Sequence, residues 1–213
     1  VTAALLPATT AAEVAAVVVE QSVAALGAKA GSLAILSPDG EWLEQVLPIG
    51  DGAASQVFER LPLDAGAPAT YAVVTRQPVW LESQADFDER FPRWAAVSRS
   101  HGFEATAAVP LVIEQQAVGA LVLRFGTQRQ LGPDDQAFLL ALGRQGALAL
   151  ERARLYEAER HSRYAAELSA ERTSRLQMVT DALSLAITPE QVTAVTVEHG
   201  VAALGGSAGA IAL

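Results

Sequence analysis

The sequence predicts an α+β domain in which helices pack against an antiparallel sheet. Short apolar segments at Gly31–Ser37 and Glu41–Ile49 flank a Pro-Asp-Gly turn, which is typical of an antiparallel hairpin. A second apolar pair, Phe103–Ile113 and Ala117–Phe125, is joined by a tight Glu-Gln-Gln connection. Helical patterns precede, separate and follow these pairs, and this order favours a central sheet with helices packed on it.

A helix over Thr10–Leu26 is the first predicted element, because its apolar residues recur at helical spacing. Glu13 stands three residues after Thr10, as in a capping box, and Gly27 is a natural end for the helix. The middle of the chain is predicted to contain several shorter elements. Gly50–Arg60 is a polar connector with a possible short helix, and Leu61–Leu63 leads to a helix from Ala67 or Pro68 to Gln77. A strand at Pro78–Leu81, an irregular or briefly helical stretch at Phe87–Pro92 and a helix at Arg93–His101 follow.

A long helix is predicted to follow the second hairpin. Pro133 stands in its first turn, with Asp134 and Asp135 at the positive end of the helix dipole. No proline occurs again until Pro189, so the helix can continue to about Ala186. Apolar residues within it fall at seven-residue intervals or three residues later, around a polar middle at Ser162 and Ser169; they are Leu148, Leu155, Leu176, Val179 and Leu183.

This heptad seam has two interpretations. A lone amphipathic helix lying on its own sheet explains Phe138–Leu150, but it leaves the apolar stripe beyond Leu155 exposed to water. A parallel homodimer, formed through the first and last helices, covers that stripe and is the interpretation we favour. The polar middle would weaken the coiled coil, and a weak coil can change register at low energetic cost, which suits a signalling helix.

The chain repeats its own beginning near its end. Residues 23–35 are VAALGAKAGSLAI and residues 201–213 are VAALGGSAGAIAL, and the match extends without a gap when Val1 is placed on Val179. The distance between the copies is of domain size, longer than the ~20–50 residues of a solenoid repeat. We therefore expect one whole repeat unit followed by the start of a second.

Composition narrows the function classes. The net charge of −9 and the pI near 4.8 argue against a nucleic-acid partner. No cysteine is present, which excludes a disulfide, a thiolate metal site and a thioether-linked chromophore within this chain. His101, His161 and His199 lie too far apart for metal-ligand spacing, so no metal site is predicted. No signal-peptide pattern or membrane-spanning apolar run is found, and we expect a cytoplasmic location without a membrane partner for this fragment.

Three consecutive segments carry a family resemblance. They are LPLDAGAPATYAVVTRQPVWLES, HGFEATAAVPLVIEQQAVGALVLRF and LGPDDQAFLLALGRQGALALERARLYEAER, and they resemble successive blocks of a bacterial GAF domain. The resemblance implies a six-stranded antiparallel sheet with the first and last helices on one face and a ligand pocket on the other. It implies a GAF domain at 1–158, a helical linker at 159–187, and at 188–213 the truncated start of a second GAF repeat, as in tandem arrays.

The resemblance also implies a role. GAF domains are sensory or dimerising modules placed before histidine kinases, phosphatases or cyclases, as in two-component systems, and we expect no enzymatic activity here. The Asn-Lys, Phe and Asp-Glu signature of the cyclic-nucleotide type is missing, apart from Asp134 and Asp135. The Asp-Ile-Pro motif and cysteine of the bilin type are missing too. We therefore predict no known cofactor, an unidentified small-molecule ligand, and an output domain in the full-length protein; the alternative is a spacer that binds no ligand.

Several residues are candidates for the ligand site. Aromatic side chains in the region that walls a GAF pocket suit a small organic ligand or a packed core; they are Phe58, Tyr71, Trp80, Phe91 and Trp94. His101 stands just before Gly102, where it can contact a ligand or simply end a helix. Arg124 stands in an apolar strand. It could meet an anionic ligand if it faces the pocket, or lie at a solvent-exposed strand end.

Overall fold

The computed structural model describes residues 8–50, 59–185 and 188–204, with Leu5 and Ala208. It divides into two compact units, residues 1–157 and 158–213. The strands are β1 Ala30–Leu36, β2 Trp42–Gly50, β3 Arg60–Pro62, β4 Val79–Leu81, β5 Ala105–Ile113 and β6 Gln116–Phe125. The helices are α1 Ala11–Leu26, α2 Pro68–Thr75, α3 Gln84–Arg90, α4 Pro92–Ser100, α5 Pro133–Leu185 and α6 Pro189–Leu204.

The six strands form one antiparallel sheet in the order β3-β2-β1-β6-β5-β4. The second hairpin, β5–β6, closes through Glu114 and Gln115, whose φ angles of 45° and 69° are the left-handed conformation that a tight hairpin turn requires. This architecture confirms the predicted α+β fold with six antiparallel strands and a long C-terminal helix.

Helix α1 begins at the predicted capping box. The Thr10 hydroxyl accepts a hydrogen bond from the Glu13 amide at 3.2 Å, and the Glu13 carboxylate accepts from the backbone amides of Thr9 and Thr10. These bonds favour the ionised carboxylate and lower the pKa of Glu13. The helix ends at Gly27, where a φ of 61° takes the chain out of the helix.

One face of the sheet is covered by α1 and by the first part of α5, as predicted. Buried Val14 and Val18 of α1 share one core with Leu139 and Leu142 of α5 and with alternate residues of the central strands. The approach of α1 to the sheet is close at Gly31, where an added Cβ would lie 2.7 Å from side-chain carbons of both Val19 and Val23.

The other face is covered by the three short helices. Helix α2 packs on β5 and β6, and α3 and α4 pack beside it. Their apolar residues join those that β4, β5 and β6 present on this side, namely Val79, Leu81, Phe87, Phe91, Ala95, Ala108 and Val122. The sheet therefore separates two cores, and only the first contains α1 and α5.

Two predicted elements differ in the structure. Arg60–Pro62 is the edge strand β3, with Leu61 paired to Leu43, where the sequence predicted only an approach to a helix at Leu61–Leu63. A three-residue strand carries too little alternation to be recognised. Helix α3 begins before the predicted Phe87, because the Ser83 hydroxyl accepts from the Asp86 amide. Most of the connector Gly50–Arg60 lies outside the described residues.

The second unit contains the end of α5 and helix α6. The Thr188 hydroxyl accepts from the Gln191 amide at 3.3 Å, and Gln191 Oε1 accepts from the Thr188 amide at 3.1 Å. This is the capping arrangement of α1 again, with glutamine in place of glutamate. The strand predicted after this helix lies outside the described residues except for Ala208, and the proposed boundaries of linker and second repeat stay predictions.

Candidate ligand-binding cavity

A cavity of about 50 Å³ lies between the sheet and the three short helices. Strands β5 and β6 contribute Thr106, Val122 and Arg124 to its wall. The remaining wall is largely apolar and comes from the helices and their connections; it comprises Ala67, Pro68, Ala69, Phe87, Trp94, Val97, Ser98 and Phe103. Trp94 and Val97 also border an open groove of about 490 Å³ beside the cavity.

Strand alternation brings Arg124 to this cavity. Leu121, Leu123 and Phe125 of β6 lie in the core with α1 and α5, so Val122 and Arg124 point to the opposite side. Arg124 therefore faces the pocket, one of the two orientations that the sequence left open.

The Arg124 guanidinium has few compensating groups. Its Nη1 donates a hydrogen bond to the Ser32 hydroxyl at 3.2 Å, and its Cζ lies 5.8 Å from the centre of the Phe103 ring. Within the described part of the chain it forms no ion pair with a carboxylate. Burial lowers the pKa of Arg124 to about 10, so the group remains charged at neutral pH.

A second cation approaches the same aromatic ring. Lys29 Nζ lies 5.5 Å from the centre of the Phe103 ring and donates to the carbonyl oxygens of His101 and Gly102, each at 3.3 Å. Phe103 itself is buried and lines the cavity. Two cations on one ring make this end of the cavity electropositive in a chain whose net charge is −9.

His101 is placed beside the cavity wall and is absent from its lining. Its ring stacks on Phe103 with 6.1 Å between centroids. Its Nδ1 atom lies 2.8 Å from the carbonyl oxygen of Val97, and since a carbonyl can only accept, this nitrogen carries the proton in that bond. His101 also caps the C-terminus of α4, which is the structural role that the sequence offered as its alternative.

A polar cluster borders the cavity at Ser98 and Phe103. Ser98 Oγ donates to the Phe103 carbonyl oxygen at 3.0 Å, and the Gln84 side-chain amide donates to both of these oxygen atoms. Gln84 Oε1 is the one buried side-chain oxygen, among the described residues, that lacks a hydrogen-bond partner. Gln84, Ser98 and Thr106 were missed by the sequence reasoning, because isolated small polar residues carry no motif.

The predicted aromatic residues do not converge on the cavity. Trp94 lines it and donates from Nε1 to the Ala65 carbonyl oxygen at 3.2 Å. Phe91 is buried in the neighbouring core and meets Tyr71 edge to face at 5.7 Å, while Tyr71 is 47% exposed. Trp80 lies on the opposite face of the sheet with α1 and α5, because it alternates with Val79 and Leu81. Phe58 lies outside the described residues.

The predicted dimer-interface residues of α5 are exposed where they can be described. Leu148, Leu155 and Leu176 are 58%, 58% and 62% accessible, so each presents apolar surface to solvent in the single chain. The side chains of Val179 and Leu183 lie outside the described set, and the dimer stays a prediction. Over the described ranges, no helix has the length and apolarity to cross a membrane, and no three histidine, aspartate or glutamate side chains cluster as metal ligands would.

Comparison with known proteins identifies the fold family. A model of the GAF domain matches residues 8–151, which span the sheet, the cavity and the beginning of α5. The chain belongs to the GAF domain family. No curated protein sequence matches it.

Solved structures show the same GAF fold in different proteins. Residues 122 to 287 of a methyl-accepting chemotaxis protein align with a TM-score of 0.61 and 19% identity, covering 74% of this chain and 98% of that one. A domain described as part of a two-component sensor histidine kinase from Sinorhizobium meliloti aligns with a TM-score of 0.55 and 17% identity, covering 68% and 94%. The GAF fold thus occurs in a domain of a chemotaxis protein and in a domain of a sensor histidine kinase.

An enzyme shares the fold as well. Free methionine-R-sulfoxide reductase from Neisseria meningitidis, solved in complex with its substrate, aligns with a TM-score of 0.60 and 14% identity, covering 72% of this chain and 86% of that one. At these identities the three likenesses show the fold alone.

Proposed function

We propose that this GAF domain is the sensory module of a multidomain bacterial signalling protein located in the cytoplasm. A small molecule enters the cavity beneath α2–α4, and its presence is relayed along α5 to an output domain. The similarity to domains of a chemotaxis protein and a sensor kinase supports the signalling context. No catalytic role is proposed: the reductase of the same fold acts on a sulfoxide, and this chain has no cysteine thiol that could reduce one.

The observation that carries the proposal is the position of β6. Val122 and Arg124 line the cavity, while Leu121, Leu123 and Phe125 lie in the core that contains α1 and α5. A shift of β6 on ligand binding would therefore repack the α5 core directly, since close-packed interiors transmit displacement. The strand gives the cavity a mechanical connection to the predicted signalling helix.

A second candidate, a spacer that binds nothing, is favoured by the size of the cavity. Drug-sized ligand pockets enclose about 300–1,000 Å³, whereas this cavity encloses about 50 Å³. We propose neither a cyclic nucleotide nor a bilin as the ligand, since both are much larger than that volume. The sensory function therefore requires a very small ligand.

Native mass spectrometry of the chain, expressed in and purified from its own host, separates the two candidates. Sensing predicts a retained small molecule that is released on denaturation and that the variant Ala69→Leu, which fills the cavity, does not retain. A chain that carries no molecule, and shows no saturable binding of small metabolites at millimolar concentration, would support the spacer.

The relay also requires the homodimer that the heptad seam predicts. Leu176 is 62% exposed at a seam position, and Met178 is 55% exposed two residues later, off the seam. We expect Leu176→Glu to convert a dimer to a monomer in sedimentation equilibrium, because a carboxylate cannot be buried in the seam. Met178→Glu serves as the matched control and should stay dimeric. A wild-type chain that remains monomeric at high concentration would contradict the dimer.

A further inference from the structure

We propose that the cavity is a binding site for a short-chain carboxylate of two or three carbon atoms. The carboxylate group lies against the Arg124 guanidinium, and the carbon chain lies against the apolar wall formed by residues such as Phe87, Trp94 and Val122. This inference rests on the proposed sensory function, and it adds the chemical class of the ligand.

The charge of Arg124 is the first step. Arg124 is half-buried in the cavity wall, and withdrawing a guanidinium from water is costly unless a paired charge and good hydrogen bonds compensate. Among the described residues, the hydroxyl of Ser32 and the aromatic face of Phe103 are the groups that contact the guanidinium, so most of its five N–H donors have no acceptor there and none has a charged one. A ligand carboxylate would supply two acceptor oxygens in the geometry that arginine prefers.

The surroundings of Arg124 strengthen the preference for an anion. Lys29 Nζ also lies against the Phe103 ring, and none of the described residues that line the cavity is an aspartate or glutamate. No lining group therefore opposes a negative charge. A cationic or zwitterionic ligand would place its positive end in an electropositive, apolar cavity, which electrostatics disfavours.

The size of the cavity limits the length of the ligand. One water molecule needs about 10–15 Å³ of such a cavity, so about 50 Å³ has room for roughly three to five non-hydrogen atoms. Acetate and propionate are of that size, and hexanoate is not. The mostly apolar wall distinguishes a carboxylate from a purely inorganic anion, because only the former buries carbon against it.

Binding should be independent of pH near neutrality. Arg124, with its pKa near 10, stays charged between about pH 6 and pH 8, and a carboxylate ligand stays ionised over the same range. A dissociation constant that changes over this pH range would contradict the assignment of the anion to Arg124.

Isothermal titration calorimetry of the whole 213-residue chain with sodium propionate tests the proposal, with sodium chloride and sodium phosphate at equal ionic strength as controls. We expect a saturable site with a dissociation constant of about 1 mM, given so few ligand atoms. Propionamide, the neutral isostere, and hexanoate should bind at least about tenfold more weakly.

Variants locate the site. Arg124→Gln should weaken propionate binding at least about tenfold, and Ala69→Leu should abolish it while keeping Arg124. Arg129→Gln is the matched control, since Arg129 also packs on an aromatic ring, Phe125 at 5.0 Å, but lies outside the cavity lining; it should bind propionate as the wild type does. Thermal unfolding of each variant verifies that it is folded before binding is compared.

The outcomes distinguish this inference from the sensory function. If propionate and propionamide bind equally and Arg124→Gln changes neither, the carboxylate assignment is overturned while a sensory cavity survives. Phosphate or chloride binding as tightly as propionate also overturns it. If no small molecule binds and host-purified protein carries none, both proposals fail.

Discussion

Helices α1 and α6 are two copies of one sequence pattern in two different surroundings. Placing Ala11 on Pro189 makes the two helices coincide from first residue to last, Ala11–Leu26 and Pro189–Leu204. Each is preceded by a threonine whose hydroxyl accepts a hydrogen bond from the backbone amide three residues further along the chain. In α1, however, Val14 is fully buried, while its counterpart Val192 in α6 is 41% exposed.

The difference separates local from tertiary determinants of structure. Capping and helical propensity act within a turn or two, so both helices begin and end at corresponding positions of the repeated sequence. Burial requires a partner surface, and α1 has one because the sheet and α5 surround Val14. Helix formation in α6 therefore carries no evidence of a completed second domain.

Removing apolar volume from the two copies should give the largest contrast. Val14→Ala should lower the free energy of unfolding by about 2 kcal/mol, since two buried methyl groups are lost and a cavity remains. Val192→Ala should change it by less than about 0.5 kcal/mol. Urea denaturation of both variants measures the difference. Equal losses of unfolding free energy would mean that α6 is buried as α1 is, and would contradict the difference in surroundings.

The close approach of α1 to the sheet provides a second test. Gly31→Ala should destabilise the domain by about 1–3 kcal/mol through overpacking, because its Cβ would meet Val19, Val23 and Leu123. Gly132→Ala is the control, since nothing lies within 4 Å of its Cβ position. A neutral Gly31→Ala would show that α1 sits farther from β1 than described.

Removal of the helix caps should have the smallest effect on stability. The effect should extend over the whole domain for α1 and stay within the helix for α6. Thr10→Ala should cost about 1 kcal/mol of global stability, because α1 unfolds with the domain. Thr188→Ala should instead increase hydrogen exchange within α6 and leave exchange of the sheet amides unchanged. If Thr188→Ala also accelerated exchange in β1 or β6, the two copies would be energetically coupled.

The sequence was sufficient wherever the signal was local or repeated. The capping box at Thr10, the stop at Gly27, the two hairpins and the start of α5 at Pro133 were predicted within a few residues. Strand β3 was missed, since its three residues have too short a pattern. The face of the sheet on which Trp80 and Arg124 lie could not be predicted either. Strands β4 and β6 are apolar on both faces, and the alternation of side chains does not by itself indicate which face α1 covers.

The candidate site was therefore only partly predictable. Of the candidate residues, Trp94 and Arg124 line the cavity, while Tyr71 is largely exposed and Trp80 lies on the opposite face of the sheet. The polar neighbours Ser98 and Gln84 are brought together by the turn of chain between α4 and β5, a contact with no sequence signature.

A crystal structure of the 213-residue chain grown with sodium propionate tests the central claim most directly. We predict propionate in the cavity, with its carboxylate within hydrogen-bond distance of the Arg124 guanidinium and its methyl end among Phe87, Trp94 and Val122. A cavity closed by side chains, with Arg124 turned to bulk solvent or paired with a carboxylate of the protein, would contradict it.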